Sequence, residues 1–413
     1  MPSLGPDAGE VVVTGLGVTS AVGRGIGDFT ASLLAGRHAF GTMARPGRLV
    51  PGLATGFLGA EIADVNLAAP DSVPQRALRT ASLSGRVAVG TLDEAWRDAA
   101  LDDVDPRRIG LVVGGSNVQQ RDLLEQRARH AANPRFVRPT YGMVFMDTDL
   151  CGLCTELFDI RGFANTVGGA SASGLLAVLQ AVDAVRSGRV DVCIAVGALM
   201  DLSHWEFQAF RAMGAMGSDR HADDPAAACR PFDTARDGFV YGEACAAVVV
   251  ERDGRRAHPA PYARVLGSGV AVDGNRNPNP SLEGEIRVLE AALNEAGVSA
   301  AEVDYVNPHG TGSPLGDEIE LEALRKSGLA HARVNTTKSI TGHGLTAAGA
   351  VEVAATLLQM RVGQLHPSRN LTDPIDPSFN WVGDTAVAEP VRMAVSLSMG
   401  FGGISSAICL GSY

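Results

Sequence analysis

The chain has 413 residues, 46% of them apolar, enough to bury a large core. Thirty-five basic against 46 acidic side chains give a net charge of −11, which argues against non-specific binding to nucleic acid or an anionic membrane. No run of about 18 apolar residues stands out, and MPSLGPDAGE lacks the basic flank and apolar stretch of a secretory signal, so a cytoplasmic protein with no membrane partner is expected.

Short apolar runs bounded by glycine predict buried strands at Val11 to Val13, Gly110 to Gly115, Val192 to Gly197 and Ala246 to Val250. Arginines at 76, 79, 121, 127, 129, 135 and 138 stand out from the acidic total. Cys151 and Cys154 form a CxxC, but no second pair accompanies it. The six cysteines, at 151, 154, 193, 229, 245 and 409, read as reduced core residues, with no metal implied. Next comes Arg161-Gly162-Phe163-Ala164-Asn165-Thr166-Val167-Gly168-Gly169-Ala170-Ser171-Ala172-Ser173-Gly174, small residues leading into a helix. Small residues there let a ligand approach free backbone N–H groups, although an ordinary N-cap serves the same pattern. The helix carries Leu175, Leu176, Val178, Leu179, Val182 and Val185 on nearly every side, so it should be surrounded by protein. A lipase-type elbow needs G-x-S-x-G, and Ser173 stands where the second glycine belongs.

A polar connection near Arg255 to Pro261 precedes a second series of strands, at Tyr262 to Val272, Val303 to Val306, Val334 to Lys338, Met393 to Met399 and Ser406 to Gly411. Two successive alternations of strand and helix predict two similar α/β halves, residues 1–258 and 259–413, sharing one body. In the second half His309 follows a strand and opens the glycine-rich turn Gly310-Thr311-Gly312, while Lys338-Ser339-Ile340-Thr341-Gly342-His343 precedes an alanine-rich helix. One such histidine is usually structural; two in equivalent settings suggest a shared cleft. Met399-Gly400-Phe401-Gly402-Gly403 adds a turn whose backbone can come close to a ligand.

The Ser171 segment, His309-Gly310-Thr311-Gly312, Lys338 to His343, Gly400 to Gly403, Arg230-Pro231-Phe232-Asp233 with Arg236-Asp237-Gly238-Phe239, and Val13 to Gly17 together resemble the signatures of β-ketoacyl carrier-protein synthases over essentially the whole chain. The resemblance implies a thiolase-like fold of two pseudo-repeated α/β halves in five layers, αβαβα. It implies a homodimer, with Met143 to Phe158 lining the interface. An acyl carrier protein would bring the substrate on its phosphopantetheine arm, with no other cofactor. It places His309, His343 and Lys338 in the catalytic set and Ser171 at the position of the family's condensing cysteine. Backbone N–H groups of Ser171 and Phe401 would form the oxyanion hole, and Thr311, Gly402 and Gly403 would bind substrate.

The departures change the expected reaction. An alcohol at position 171 starts several pKa units above a thiol, and a helix terminus contributes only about 0.3–1 kcal/mol, rising to about 2 when partly buried. A general base can still activate serine, so acyl transfer is weakened without being abolished. Decarboxylation instead needs donors for an enolate oxygen, which two neutral histidines can supply. Phe163, Leu397, Ile404 and Ser405 also depart from the condensing pattern and are expected to reshape the acyl pocket. The Val167 to Gly174 pattern resembles the stand-alone, non-elongating ketosynthases of polyketide β-branching cassettes. That resemblance implies conversion of malonyl-carrier protein to acetyl-carrier protein. The alternatives are a Ser171-dependent acyltransferase and a non-catalytic chain-length-factor-like partner, the latter hard to square with two retained histidines. Arg76, Arg79, Arg127 and Arg129 are expected to dock the acidic carrier, although a solvated helix face would look the same.

Overall fold

The computed structural model describes residues 10–413 apart from 51, 53–55, 64–69, 71 and 255–259, so the expected boundary at 258/259 and the opening nine residues lie outside the described residues. The first half runs β1 (Val11–Ser20), α1 (Leu83–Asp98), β2 (Ile109–Gly114), α2 (Thr148–Leu157), β3 (Phe163–Val167), α3 (Ser173–Arg186), β4 (Val192–Gly197) and β5 (Ala244–Arg252). The second runs β6 (Ala263–Val272), α4 (Leu282–Ala296), β7 (Tyr305–Asn307), α5 (Pro314–Lys326), β8 (Arg333–Val334), α6 (Ala348–Val362), β9 (Met393–Gly400) and β10 (Ile404–Ser412).

Strand order demonstrates the repeat that the sequence only suggested. One half reads β3-β2-β4-β5-β1, the other β8-β7-β9-β10-β6, and the two meet where β1 pairs antiparallel with β6. Each of these strands thus has a counterpart at the same place in the other half, while the two-residue strand Asn380–Trp381, paired outside β8, has none among the described residues. Burial alternates along the strands: Cys193 and Ala195 of β4 face one core, while Val192, Ile194 and Val196 face another. In the second half Ile408 and Leu410 join the core of Cys193, whereas Ala407 and Cys409 belong to a third. Both halves of the sheet therefore carry protein on both faces. The layers are α1 and α2, a sheet, α3 and α6, a sheet, α4 and α5.

The central pair sets the site. At their crossing a Cβ on Gly174 would lie 2.8 Å from the nitrogen of Ala350, and one on Gly349 would lie 2.7 Å from that of Leu175. Only glycine permits that approach, which brings the two helix starts together. The segment 345–362 is long and apolar enough to cross a membrane, but 83% of it is buried inside the protein, as suits a core helix.

Three expectations need correction. The run from Val334 to Lys338 is a strand only through Val334; Lys338 opens a short helix, Lys338–Thr341. Phe163–Val167, read as a lead-in to the helix, is an edge strand that, among the described residues, pairs only with β2. Its apolar alternation is weak because none of its five residues is fully buried. Met143, Phe145 and Met146 are exposed, but Leu150, Cys151, Cys154 and Phe158 are spent inside the chain's own core.

Candidate active site

A cavity of about 440 Å³ is lined by Ser171, His309, Thr311, His343, Phe401 and Gly403 among others. Ser171 sits in the 3₁₀ turn Ala170–Ala172 that leads into α3. Ala170 holds φ at 47°, a left-handed conformation rare outside glycine, and this sharp turn lifts Ser171 toward the cavity. The turn is kept by hydroxyls: Ser173 Oγ accepts from the Gly169 N–H at 2.9 Å and donates to the Ala170 carbonyl at 2.7 Å, while Ser398 Oγ donates to the Ser171 carbonyl at 3.1 Å. Gly400 closes the far side, where a Cβ would meet the Gly169 oxygen at 2.1 Å.

His343 comes from the equivalent turn of the other half. Its N–H donates to the Val240 carbonyl at 2.7 Å, and its own carbonyl accepts from Gly242 at 3.1 Å. Burial, then the positive charge of Lys338, pulls its pKa well below the ordinary value, so the ring is neutral. Nδ1 accepts the Leu345 N–H at 3.3 Å, which leaves the ring proton on Nε2. Nε2 lies 3.0 Å from Ser171 Oγ. The hydrogen bond therefore runs from the histidine to the serine, and a ring already protonated on that nitrogen cannot take the serine's proton.

His309 packs edge-on against His343, ring centroids 5.5 Å apart. Burial, then Lys338, then His343 lowers its pKa, so it too is neutral. Its backbone N–H donates to Glu320, and its carbonyl accepts from Lys338 Nζ. Lys338, counted with the catalytic residues, is 2% exposed, pairs with Glu352 and does not line the cavity. Its ammonium is committed to positioning the His309 loop.

Thr311 and Gly403, expected to bind substrate, line the cavity, and Phe401 joins them at the turn between β9 and β10; Gly402 does not line it. Of the four departures expected to reshape the pocket, only Ser405 reaches it. Phe163 lies under the Arg189 guanidinium at 3.9 Å on the edge strand, and Leu397 is buried in the core beside α4. Ile404 does not line it either. Sequence reasoning missed the carboxyl groups of Asp273, Glu285, Asp317 and Glu320, all on the cavity wall. Asp317 and Glu320 stand on the helix that follows the His309 turn, where three-residue spacing puts both on one face.

Arg76, Arg79, Arg127, Arg129, Arg135 and Arg138 are exposed, Arg127 donating to the Tyr141 hydroxyl at 2.7 Å. Arg121 leaves the patch, because it is held by Asp201 at 2.8 Å and Glu125 at 2.7 Å. All six cysteines are free and buried; the Cys151 thiol contacts the Thr166 hydroxyl.

Residues 8–255 match the family model for the β-ketoacyl synthase N-terminal domain, and residues 262–372 that for the C-terminal domain. Polyketide biosynthesis malonyl-ACP decarboxylase PksF of Bacillus subtilis (strain 168) is 57% identical over 403 residues, 97% of this chain and 96% of the relative. 3-Oxoacyl-[acyl-carrier-protein] synthase 2 of Coxiella burnetii is 30% identical over 97% of this chain and 98% of its own. Among solved structures, the ishigamide ketosynthase/chain length factor superposes with a TM-score of 0.88 at 28% identity, covering 98% of this chain and 99% of the other. A type II ketosynthase in complex with its acyl-carrier protein gives 0.83 at 25%, covering 98% and 100%.

Proposed function

The chain belongs to the β-ketoacyl synthase family, and we propose that it decarboxylates malonyl-acyl carrier protein to acetyl-acyl carrier protein in polyketide biosynthesis without elongating a chain. The observation that carries this reading is the direction of the hydrogen bond between His343 and Ser171. A serine facing an imidazole that donates has no base from that ring, so the acyl-transfer route loses its first step. The same Nε2–H is what a developing enolate oxygen requires.

In the proposed reaction the thioester oxygen lies between His309 and His343, whose neutral rings donate to it as charge grows. The C–C bond to the carboxylate breaks, carbon dioxide leaves, and the electron pair passes into the enolate. Ser171 orients the thioester; the backbone N–H groups of Ser171 and Phe401 belong to the same donor set. Thr311 and Gly403 flank the arm that carries the thioester. No cofactor enters beyond that arm. The relative named malonyl-ACP decarboxylase, so similar over nearly the full length, supports the substrate.

The active form is proposed as a cytoplasmic homodimer, Met143, Phe145, Met146 and the open edge of β3 forming the contact. Carrier docking is assigned to Arg76, Arg79, Arg127 and Arg129; reversing Arg127 and Arg129 to glutamate should raise KM for the carrier at low salt, and an unchanged KM would remove them. The deciding experiment incubates purified protein with malonyl-carrier protein and follows its mass. Loss of one carbon dioxide over many turnovers supports the reading; a stable adduct on Ser171 with no loss would favour acyl transfer.

A further inference from the structure

Four carboxyl groups line the cavity, and three are already committed. Asp273 pairs with Arg287 at 2.9 Å. Asp317 accepts N–H groups from Phe232 at 2.7 Å and Gly312 at 3.0 Å, with the Arg236 guanidinium 3.6 Å away. Glu320 accepts from His309 and, at 2.8 Å, from Gly310. Glu285 differs. It stands in the first turn of α4, is 2% exposed, and its Oε2 is buried with no hydrogen-bond partner.

An unpaired buried carboxylate is costly, and the group avoids the cost by keeping its proton. Burial first, then the neighbouring Glu320, Asp273 and Asp317, raises the Glu285 pKa well above the ordinary range. Glu320 is raised too, by burial first, but its two accepted N–H bonds favour the ionised form. Where adjacent acids share one proton, it resides on the member with no N–H donors. That member is Glu285.

Decarboxylation leaves an enolate that must be protonated at C2 to become an acetyl group. Among the other cavity groups, Glu320 and Asp317 already accept N–H bonds that favour their ionised forms. An alcohol and a neutral imidazole give up a proton only far above neutral pH, and Lys338 is paired outside the cavity. Resting on the decarboxylase reading above, we propose that Glu285 is a catalytic general acid that delivers this proton to C2. The Glu285 O–H bond breaks as the C2–H bond forms, and the carboxylate regains its proton from water. Malonyl thioester and one solvent proton thus give acetyl thioester and carbon dioxide.

The test compares wild type with the isosteric Glu285→Gln on malonyl-carrier protein, measuring carbon dioxide release, pH dependence, and the hydrogen-to-deuterium ratio of the new methyl group in mixed H₂O/D₂O. That ratio reports the protonation step even when another step limits the rate. Wild-type activity should decline as pH rises through the Glu285 titration. Glu285→Gln should lose on the order of 10²-fold in acetyl formation, lose that alkaline decline, and shift the isotope ratio. Glu285→Asp should retain the decline at a lower rate, which keeps the test alive if the glutamine variant folds poorly. Glutamine or aspartate variants with wild-type rate and ratio would overturn the proposal while leaving the decarboxylase reading intact. No carbon dioxide from wild type would overturn both.

Discussion

The two halves place Ser171 and His343 at the same point of the repeat, in turns that follow β3 and β8, yet anchor them by opposite means. On the first half Ser171 rides a turn of small residues, tied by the hydroxyls of Ser173 and Ser398 and preceded by a strand on an open edge. On the second, the histidine turns stand on a buried polar web. Tyr305 donates to Asn335 at 2.6 Å, Asn307 to Thr337 at 2.8 Å and Asn335 to Gln359 at 3.0 Å, while Lys338 and Glu352 pair beneath His309. Because few groups depend on the atom at position 171, a thiol there can become an alcohol with little disturbance nearby. The histidine side has no such freedom, and this asymmetry fits the proposal that Ser171 stands in place of a nucleophile while His309 and His343 serve as enolate donors.

The comparison is tested hardest at Lys338. Lys338→Ala leaves Glu352 buried without its partner and the His309 carbonyl without its donor, so unfolding in denaturant should show a loss of about 3–5 kcal/mol. Replacing both partners, Lys338→Met with Glu352→Leu, should recover much of that stability but not the activity, since the His309 loop stays untethered. A double variant that is stable and fully active would show the pair to be dispensable. Next in size, His309→Ala or His343→Ala should each slow decarboxylation by about 10²–10³, the usual result of removing one oxyanion donor.

Smaller effects are expected on the serine side. Ser171→Ala should cost less than about tenfold, because the His343 Nε2–H remains to meet the enolate. Ser171→Cys should become acylated, detectable as an intact-mass shift with acyl-carrier protein, since the turn, the helix start and both histidines are unchanged. If Ser171→Ala abolishes decarboxylation while the histidine variants stay active, the roles are reversed and a covalent serine mechanism replaces this account.

Much of this was legible in the sequence because the fold repeats small-residue turns after apolar runs, and those turns carry Ser171, His309 and His343. Two kinds of feature were not. The strand Phe163–Val167 stands at the sheet edge among the described residues and leaves all five side chains half-buried or exposed, so its residues lack the apolar alternation that marks its neighbours. The roles of Phe163, Leu397 and Lys338 depend on which way a side chain points, and a motif fixes position more firmly than direction. Glu285 escaped for a related reason: in sequence it is one of many glutamates on a helix, and only its burial on the cavity wall, with an unpartnered Oε2 and the charges of Glu320 and Asp317 near it, sets it apart.

The smallest effect expected is an absence of change, and it follows from the same web. Both rings work as neutral donors, and protonating His343 would put a proton on the Nδ1 that accepts the Leu345 N–H, breaking the bond that holds the ring in place. Each pKa is lowered by burial first and by Lys338 second, so protonation begins only well below the ordinary value of 6.5. A histidine with an ordinary pKa would impose an acid decline in rate centred near 6.5. Here kcat should stay flat from neutral pH down through 6.5 and fall only at lower pH, measured by carbon dioxide release in buffers of constant ionic strength. Lys338→Met should act against this in a defined direction, because removing the ammonium takes away the second-largest cause at each ring and lets both histidine pKa values rise. Its acid decline should therefore begin at higher pH than in wild type. A wild-type profile halved at pH 6.5 by protonation of either ring would mean that the histidine side is less dry than its hydrogen bonds imply, and the contrast between the halves would lose its electrostatic basis.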